Sequence, residues 1–291
     1  MTLRPVRSAP GVFALLALPP LAWLALFFAA PLAIIWAYGF GTNTSLVDIA
    51  ITGTFSNYAK ALQPLYLAII GKSLGFAAIP TLACLVIGFP VAVAITFAAP
   101  RTRVWLLLLV MLPFWTNLLI RTYALMAVLR SEGVVNSVLA FVWPTALLGQ
   151  FVPLQLLNNN LAVVIGLVYV HLPFMILPLY AALDRLDRSL IEASLDLGAG
   201  HLATFARIVV PLALPGIVSG IIVTFIPALG AYLTPDLLGG TNSQMIANII
   251  ERQFKSANDW PFGAALSFLL MYLTFAAIAL QSILSRSRRA A

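Results

Sequence analysis

"IEASLDLGAG", Ile191 to Gly200, interrupts a chain that is otherwise mostly apolar. It carries two carboxylates, a serine and two glycines, and apolar runs long enough to cross a membrane flank it on both sides. A polar, glycine-punctuated segment in that position has to be a structure outside the bilayer, so the runs on either side are read first.

Composition sets the class. Of 291 residues, 62% are hydrophobic and only 9% charged, against roughly 25% charged in a soluble domain. With a mean hydropathy of +1.03, the chain has too few polar side chains to face water all round. It is predicted to be all-α and polytopic. A bilayer core about 30 Å thick takes roughly 20 apolar residues in a helix, and six stretches meet or approach that length. They are Val12–Tyr38, Leu65–Phe97, Val104–Ile120, Leu161–Leu183, Gly216–Leu233 and Gly263–Leu284. Pro19, Pro20 and Pro31 should bend the first; the second, with Pro80 and Pro90, is long enough to tilt strongly. Tyr123–Asn160 is apolar but broken by Pro144, Gly149 and Pro153, and reads as helices at the interface. Residues 12–284 form the membrane domain, residues 1–11 and 285–291 polar tails, and residues 184–215 the longest interior loop. The first run is far longer than the apolar core of a signal peptide, so it reads as a retained span.

The net charge of +7 does not call for nucleic acid. Ten of the 16 basic residues fall in four short segments, Arg4–Arg7, Arg101–Arg103, Arg185–Arg207 and Arg286–Arg289. With six spans, that places those segments and both termini in the cytoplasm. One cysteine, Cys84, excludes an intramolecular disulfide, and His171 and His201 are too few for a zinc site; they read as a packing and an interfacial histidine. "GKS" at Gly71–Ser73 looks like the tail of a phosphate-binding loop, but Tyr66 stands where the motif needs glycine and the context is a membrane helix. Lys72 reads instead as a side chain reaching the outer interface.

The opening segment can now be placed on the cytoplasmic side. Ser189 and Glu192 have capping-box spacing, which predicts a helix from Leu190 to Leu197. Gly198 follows where a left-handed residue ends a helix. A second helix, His201–Val210, puts Leu202, Phe205 and Val209 on one face; Pro211 should stop it and Pro215 start the fifth span. Read from the residues alone, this hairpin could be an ordinary amphipathic loop as easily as a docking element.

A resemblance separates the two. "EASLDLGAGHLATFARIVVP" resembles the EAA loop of permease subunits of binding-protein-dependent ABC importers. Glu192, Ala193, Ser194, Gly198, Ile208 and Pro211 fall at that motif's spacing, with Ser194 and Val210 departing conservatively. "LPFWTNLLIRTYALMAVL", "GLVYVHLPFMILPLY", "AYLTPDLLGG" and "NDWPFGAALS" resemble the spermidine/putrescine branch of the same family. The resemblance implies a type I ABC importer permease fold in a bacterial inner membrane, and no catalytic site in this chain. ATP and Mg would be bound by two partner ATPase subunits that dock on the EAA loop. The other implied partners are a second permease subunit, a different chain, and a periplasmic solute-binding protein. The implied cargo is a polyamine, with opines or other small solutes as the alternative.

Intramembrane polar groups are candidate contacts for the cargo. They are Trp115, Thr116 and Asn117 in or near the third span, Tyr169 and His171 in the fourth, Thr224 and Tyr232 in the fifth, and Asp236 just beyond it, in one outer loop with Glu251 and Asp259. No carboxylate lies deep in any span. An ion-coupled transporter would place ionisable groups at mid-membrane, and a membrane enzyme would need a catalytic cluster; neither is visible.

Overall fold

A computed structural model describes residues 10–45, 48–143 and 150–290. The tail at residues 1–9, Pro144 and Gly149 lie outside the described residues. Among the latter the chain runs α1 (Pro10–Leu24), a π turn (Ala25–Ala29), α2 (Ala30–Tyr38), β1 (Gly41–Asn43), β2 (Ile49–Ile51), α3 (Ser56–Ala61) and α4 (Pro64–Phe97). Then come α5 (Pro100–Met111), a 3₁₀ turn (Leu112–Trp115), α6 (Leu118–Leu129), α7 (Val134–Val142), α8 (Asn160–Leu183), α9 (Arg188–Asp196) and α10 (His201–Thr204). A second π turn (Phe205–Val209) leads into α11 (Val210–Leu229), followed by α12 (Leu233–Leu238), a 3₁₀ turn (Thr241–Ser243), α13 (Ile246–Lys255) and α14 (Trp260–Ala290).

Among the described residues, five helical stretches are long and apolar enough to span a bilayer: Leu15–Tyr38, Pro64–Phe97, Leu118–Val142, Asn160–Leu183 and His201–Leu229; Trp260–Ala276 is a shorter apolar helix. Four of the six expected spans recur with shifted ends. The sixth recurs in a helix that continues to Ala290 through the expected tail.

The third is different. Val104–Ile120 is not one helix, because Pro113 lacks an N–H and Asn117 starts a new helix by accepting the Leu119 N–H at 2.8 Å. The passage instead takes α5, the 3₁₀ turn and α6. Arg103 pairs with Asp184 at one end of α8, and Leu129 packs with Ala162 at the other. Tyr123–Leu129, expected at the interface, therefore belongs to this passage. Leu118–Val142 reaches spanning length only when α6 and α7 are counted across the break at Arg130–Gly133.

Both π turns have one cause. Pro31 and Pro211 each lack a donor, and each ring would meet the carbonyl four residues back, Phe27 or Arg207. Those carbonyls lie inside the π turns, where Ala30 and Val210 donate five residues back, to Ala25 and Phe205. The wider turn absorbs the proline, so the expected stop at Pro211 does not occur. The helix runs unbroken from His201 to Leu229.

The contacts divide the chain into two units, residues 1–63 with 250–291, and residues 64–249. In the first, β1 and β2 pair antiparallel, Gly41 facing Ile51, and Asn57 donates to the carbonyls of Gly39 and Gly41. Asp259 begins α14 by accepting the Phe262 N–H at 3.3 Å and pairs with Lys60 at 3.3 Å. Lys60 also lies 3.9 Å from the Phe262 ring centre.

In the second unit α4, α8 and α11 pack together. At 34 residues α4 is roughly 50 Å long. Cys84, Phe89, Ala92, Ile95, Met175, Leu179, Leu183, Val209 and Ala213 form their shared core. The α8–α11 approach depends on Gly216 and Gly220, one turn apart: a Cβ on Gly216 would fall 2.9 Å from the Pro178 carbonyl, and one on Gly220 would fall 2.7 Å from the Met175 sulfur. Small residues permit such contact between membrane helices. Several polar side chains are satisfied within their own helix: Thr81 and Thr96 in α4, Thr122 in α6 and Ser219 in α11 each donate to the carbonyl four residues back.

Candidate functional site

The hairpin is built from its caps. Asp187 starts α9 by accepting the Ser189 N–H at 3.0 Å. Hydrogen bonds from Ser189, its side chain first and its backbone second, hold the Asp187 carboxyl below the usual carboxylate range. The cap is therefore Asp187, not the expected Ser189–Glu192 box. The Ser189 N–H that Glu192 would have satisfied is already taken, and Glu192 stays exposed beside Ala193. Asp187 is as good a cap as serine and stands two residues earlier, so the helix simply starts sooner.

The other end follows expectation. Gly198 has φ +82°, and the N–H groups of Gly198 and Ala199 reach back to Leu195 at 2.9 Å and Ser194 at 3.1 Å. That is a Schellman closure, which needs a left-handed residue. The turn brings α10 back beside α9, where the Ser194 and Thr204 hydroxyls lie 2.9 Å apart.

Two faces result. Toward the bundle, Val209 is buried and Phe205 meets Phe89 edge to face at 5.4 Å. Away from it, Leu197 is 88% and Leu202 83% exposed. Leu202 thus leaves the face it was expected to share with Phe205 and Val209. Ile208 is half-buried and Pro211 exposed. The tip of the hairpin therefore leaves two leucines uncovered.

The sequence did not announce how the hairpin is tied to the bundle. Arg103 donates to the Asp184 carboxylate at 2.8 Å and to the Thr96 carbonyl at 2.7 Å. Arg188, the first residue of α9, donates to the same carbonyl at 3.2 Å.

Most of the candidate pathway residues are not brought together. Trp115 is 79% exposed, Asn117 is a helix cap, Tyr169 is half-exposed, and Asp236 is exposed in the first turn of α12. Thr224 is buried, its hydroxyl without a hydrogen-bond partner among the described residues. Two candidates, Tyr232 and His171, line one cavity of about 310 Å³ with Phe114, Arg121, Phe174 and Thr234. His171 is held there by the Leu167 carbonyl, 2.8 Å from its Nδ1. Arg121 was the missed residue: a charge inside the run "LLIRTYAL" is the signal for an intramembrane site. Its Nε is buried and unpartnered among the described residues, and no carboxylate lines the cavity.

The decoy also resolves. Lys72 donates to the Asn242 carbonyl and the Ser73 hydroxyl accepts the Ile246 N–H at 2.7 Å, so both hold the 240–246 segment.

Comparison with known proteins agrees with this architecture. Residues 8–290 match the family described as binding-protein-dependent transport system inner membrane component. The spermidine/putrescine transport system permease protein PotB of Escherichia coli (strain K12) is 42% identical over 249 residues, covering 85% of this chain and 88% of that one. PotB of Haemophilus influenzae is 40% identical over 251 residues, 86% of each chain. The inner membrane ABC transporter permease protein YdcU of Escherichia coli is 32% identical over 278 residues, 91% and 88% of the two chains. Among solved structures, a bacterial ABC transporter involved in import of the acidic polysaccharide alginate matches with TM-score 0.76 at 17% identity, 95% of each chain covered; that likeness is one of fold. The chain belongs to the inner membrane components of binding-protein-dependent transport systems, and is a multi-pass, non-catalytic permease subunit of an ABC importer with the type I fold.

Proposed function

We propose that this chain forms half of a pathway for polyamines of the spermidine and putrescine class, and that the hairpin at residues 187–211 docks on a separate ATPase. The observation that carries the docking is the shape of the hairpin. It presents Glu192, Ala193, Leu197 and Leu202 outward, and its second arm continues without a break into α11. A push on the tip therefore reaches the bundle as motion of one rigid helix. The hairpin end is cytoplasmic, with both termini on that side. Two ATPase subunits carry the ATP and Mg, a second permease chain completes the pathway, and a periplasmic solute-binding protein delivers the cargo. The polar depression lined by Arg130, Glu132, Gln155 and Asn158, beside the Asn159 cap at the other end of α8, suits that delivery. ATP-driven closure works only if the ATPase holds the hairpin differently in its two states.

Support for the polyamine cargo comes from the identity to relatives named for spermidine/putrescine transport. Aromatic faces in the cavity suit ammonium groups, and the second permease chain would supply the carboxylates. One observation favours an opine or another carboxylate-bearing solute instead: Arg121 in a cavity lined by no carboxylate. The test is uptake into proteoliposomes holding this chain, its partner permease and the ATPase, with the binding protein outside. Labelled spermidine should enter in an ATP-dependent way and be displaced by putrescine. Displacement by an opine and not by putrescine would transfer the assignment to the second reading.

A further inference from the structure

The last carbonyls of a helix have no partner within it, and they form the negative end of its dipole. In α4 the Thr96 carbonyl is met by two guanidinium groups, Arg103 at 2.7 Å and Arg188 at 3.2 Å. The two are not equivalent. Arg103 sits in α5, which follows α4 after a short turn, and it is held by Asp184 at the end of α8. It moves with the bundle. Arg188 opens α9, 92 residues from Thr96 in sequence, and its guanidinium also lies 5.4 Å from the centre of the Phe97 ring. It moves with the hairpin.

The hairpin is joined covalently at both ends, to α8 through residues 184–187 and to α11 through α10 and the π turn. It also meets α4 at two places, Phe205 against Phe89 on the return arm and Arg188 on the terminal Thr96 carbonyl at the start of α9. Arg188 is the polar tie between α9 and α4, so displacing α9 strains that tie or carries the end of α4 with it. A guanidinium suits such a joint: it keeps its charge, holds a carbonyl through a planar fork, and stacks on an aromatic face at the same time. We infer that Arg188 is a coupling residue, the joint through which displacement of the ATPase-docked hairpin is passed to α4 as well as α11. The inference rests on the docking role proposed above for the hairpin.

The test compares the unsubstituted complex with Arg188→Gln and Arg188→Lys in proteoliposomes, measuring ATPase co-purification, ATP hydrolysis and uptake on the same preparations. Arg188→Gln should assemble and hydrolyse ATP near the unsubstituted level while cargo imported per ATP falls about tenfold, the effect of losing one charge-assisted hydrogen bond. Arg188→Lys, which keeps a charged donor, should recover part of that ratio. A second preparation carries Arg188→Cys with Phe97→Cys in a Cys84→Ser background. It should be uncoupled when reduced and coupled again when a short bifunctional thiol reagent joins the two sites. An unchanged ratio in Arg188→Gln, loss of ATPase binding in that variant, or a joined pair that stays uncoupled would each overturn the inference. Failure of the unsubstituted chain to hold the ATPase would instead remove the docking role.

Discussion

The Ser194 hydroxyl lies 2.9 Å from that of Thr204, joining the outward helix of the hairpin to its return arm. Thr204 is buried, so the pair is shielded on one side. Ser194→Ala should cost about 1 kcal/mol, the net worth of one such bond. It should not stop transport, because the turn is closed independently by the backbone bonds to Ser194 and Leu195. Thermal unfolding of the purified complex should show a lower midpoint with uptake retained. Loss of uptake at normal protein levels would make the hydroxyl a functional contact.

Gly198 separates conformation from contact. A Cβ there would meet nothing within 4 Å, yet φ is +82°. The penalty for a side chain is therefore conformational, roughly 1–2 kcal/mol for an ordinary residue in left-handed geometry. Gly198→Asn, which tolerates that geometry, should import cargo; Gly198→Val should insert normally and fail to import. Equal activity of the two variants would mean that the turn is not needed as built.

Gly216 and Gly220 predict a graded pair. The Cβ of Gly216 would meet the Pro178 backbone, whereas that of Gly220 meets the end of the flexible Met175 side chain. Gly216→Val should abolish accumulation of the protein, since overpacking against backbone costs about 1–3 kcal/mol or more. Gly220→Ala should accumulate and transport. Membrane-fraction immunoblots and uptake decide it, and the reverse ranking would contradict the packing described for α8 and α11.

The outer carboxylates divide by what they already do. Asp259 caps α14 and pairs with Lys60, and Glu251 pairs with Lys255 at 2.8 Å. Asp236 alone of these three has no ion pair among the described residues. Asp236→Asn should slow uptake of a cationic cargo at low salt and much less at about 0.1 M, where the screening length is about 10 Å. Glu251→Gln should leave the rate alone, its charge being matched already. Salt-dependent slowing in Glu251→Gln and none in Asp236→Asn would reverse the assignment.

What the sequence revealed follows from which interactions are local. Hydropathy places the spans because apolar length is a property of consecutive residues, and Gly198 was legible because a helix end writes itself in one residue. The start of α9 was misplaced because Asp187 and Ser189 are both good caps and only the fold decides between them. Pro211 was misread as a stop because the π turn that accommodates it is invisible in composition. Arg188 and Arg103 counted only as charge, since their shared partner is a backbone carbonyl far away in sequence. The pathway was the least legible: Tyr232 and His171 line the cavity while Trp115 and Asp236 do not, and Arg121, a charge in an apolar run, was not among the candidates.

The most direct measurement is site-directed cross-linking of the hairpin to the ATPase. In a Cys84→Ser background, a single cysteine replacing Ala193 on the exposed side of α9 is paired with cysteines along the groove of the ATPase. The account predicts a disulfide between the two chains whose yield changes when ATP is added, and little cross-linking from a cysteine at buried Val209. No cross-link at Ala193 or at Leu197, with the ATPase present in the same membranes, would contradict it and leave the hairpin an amphipathic loop.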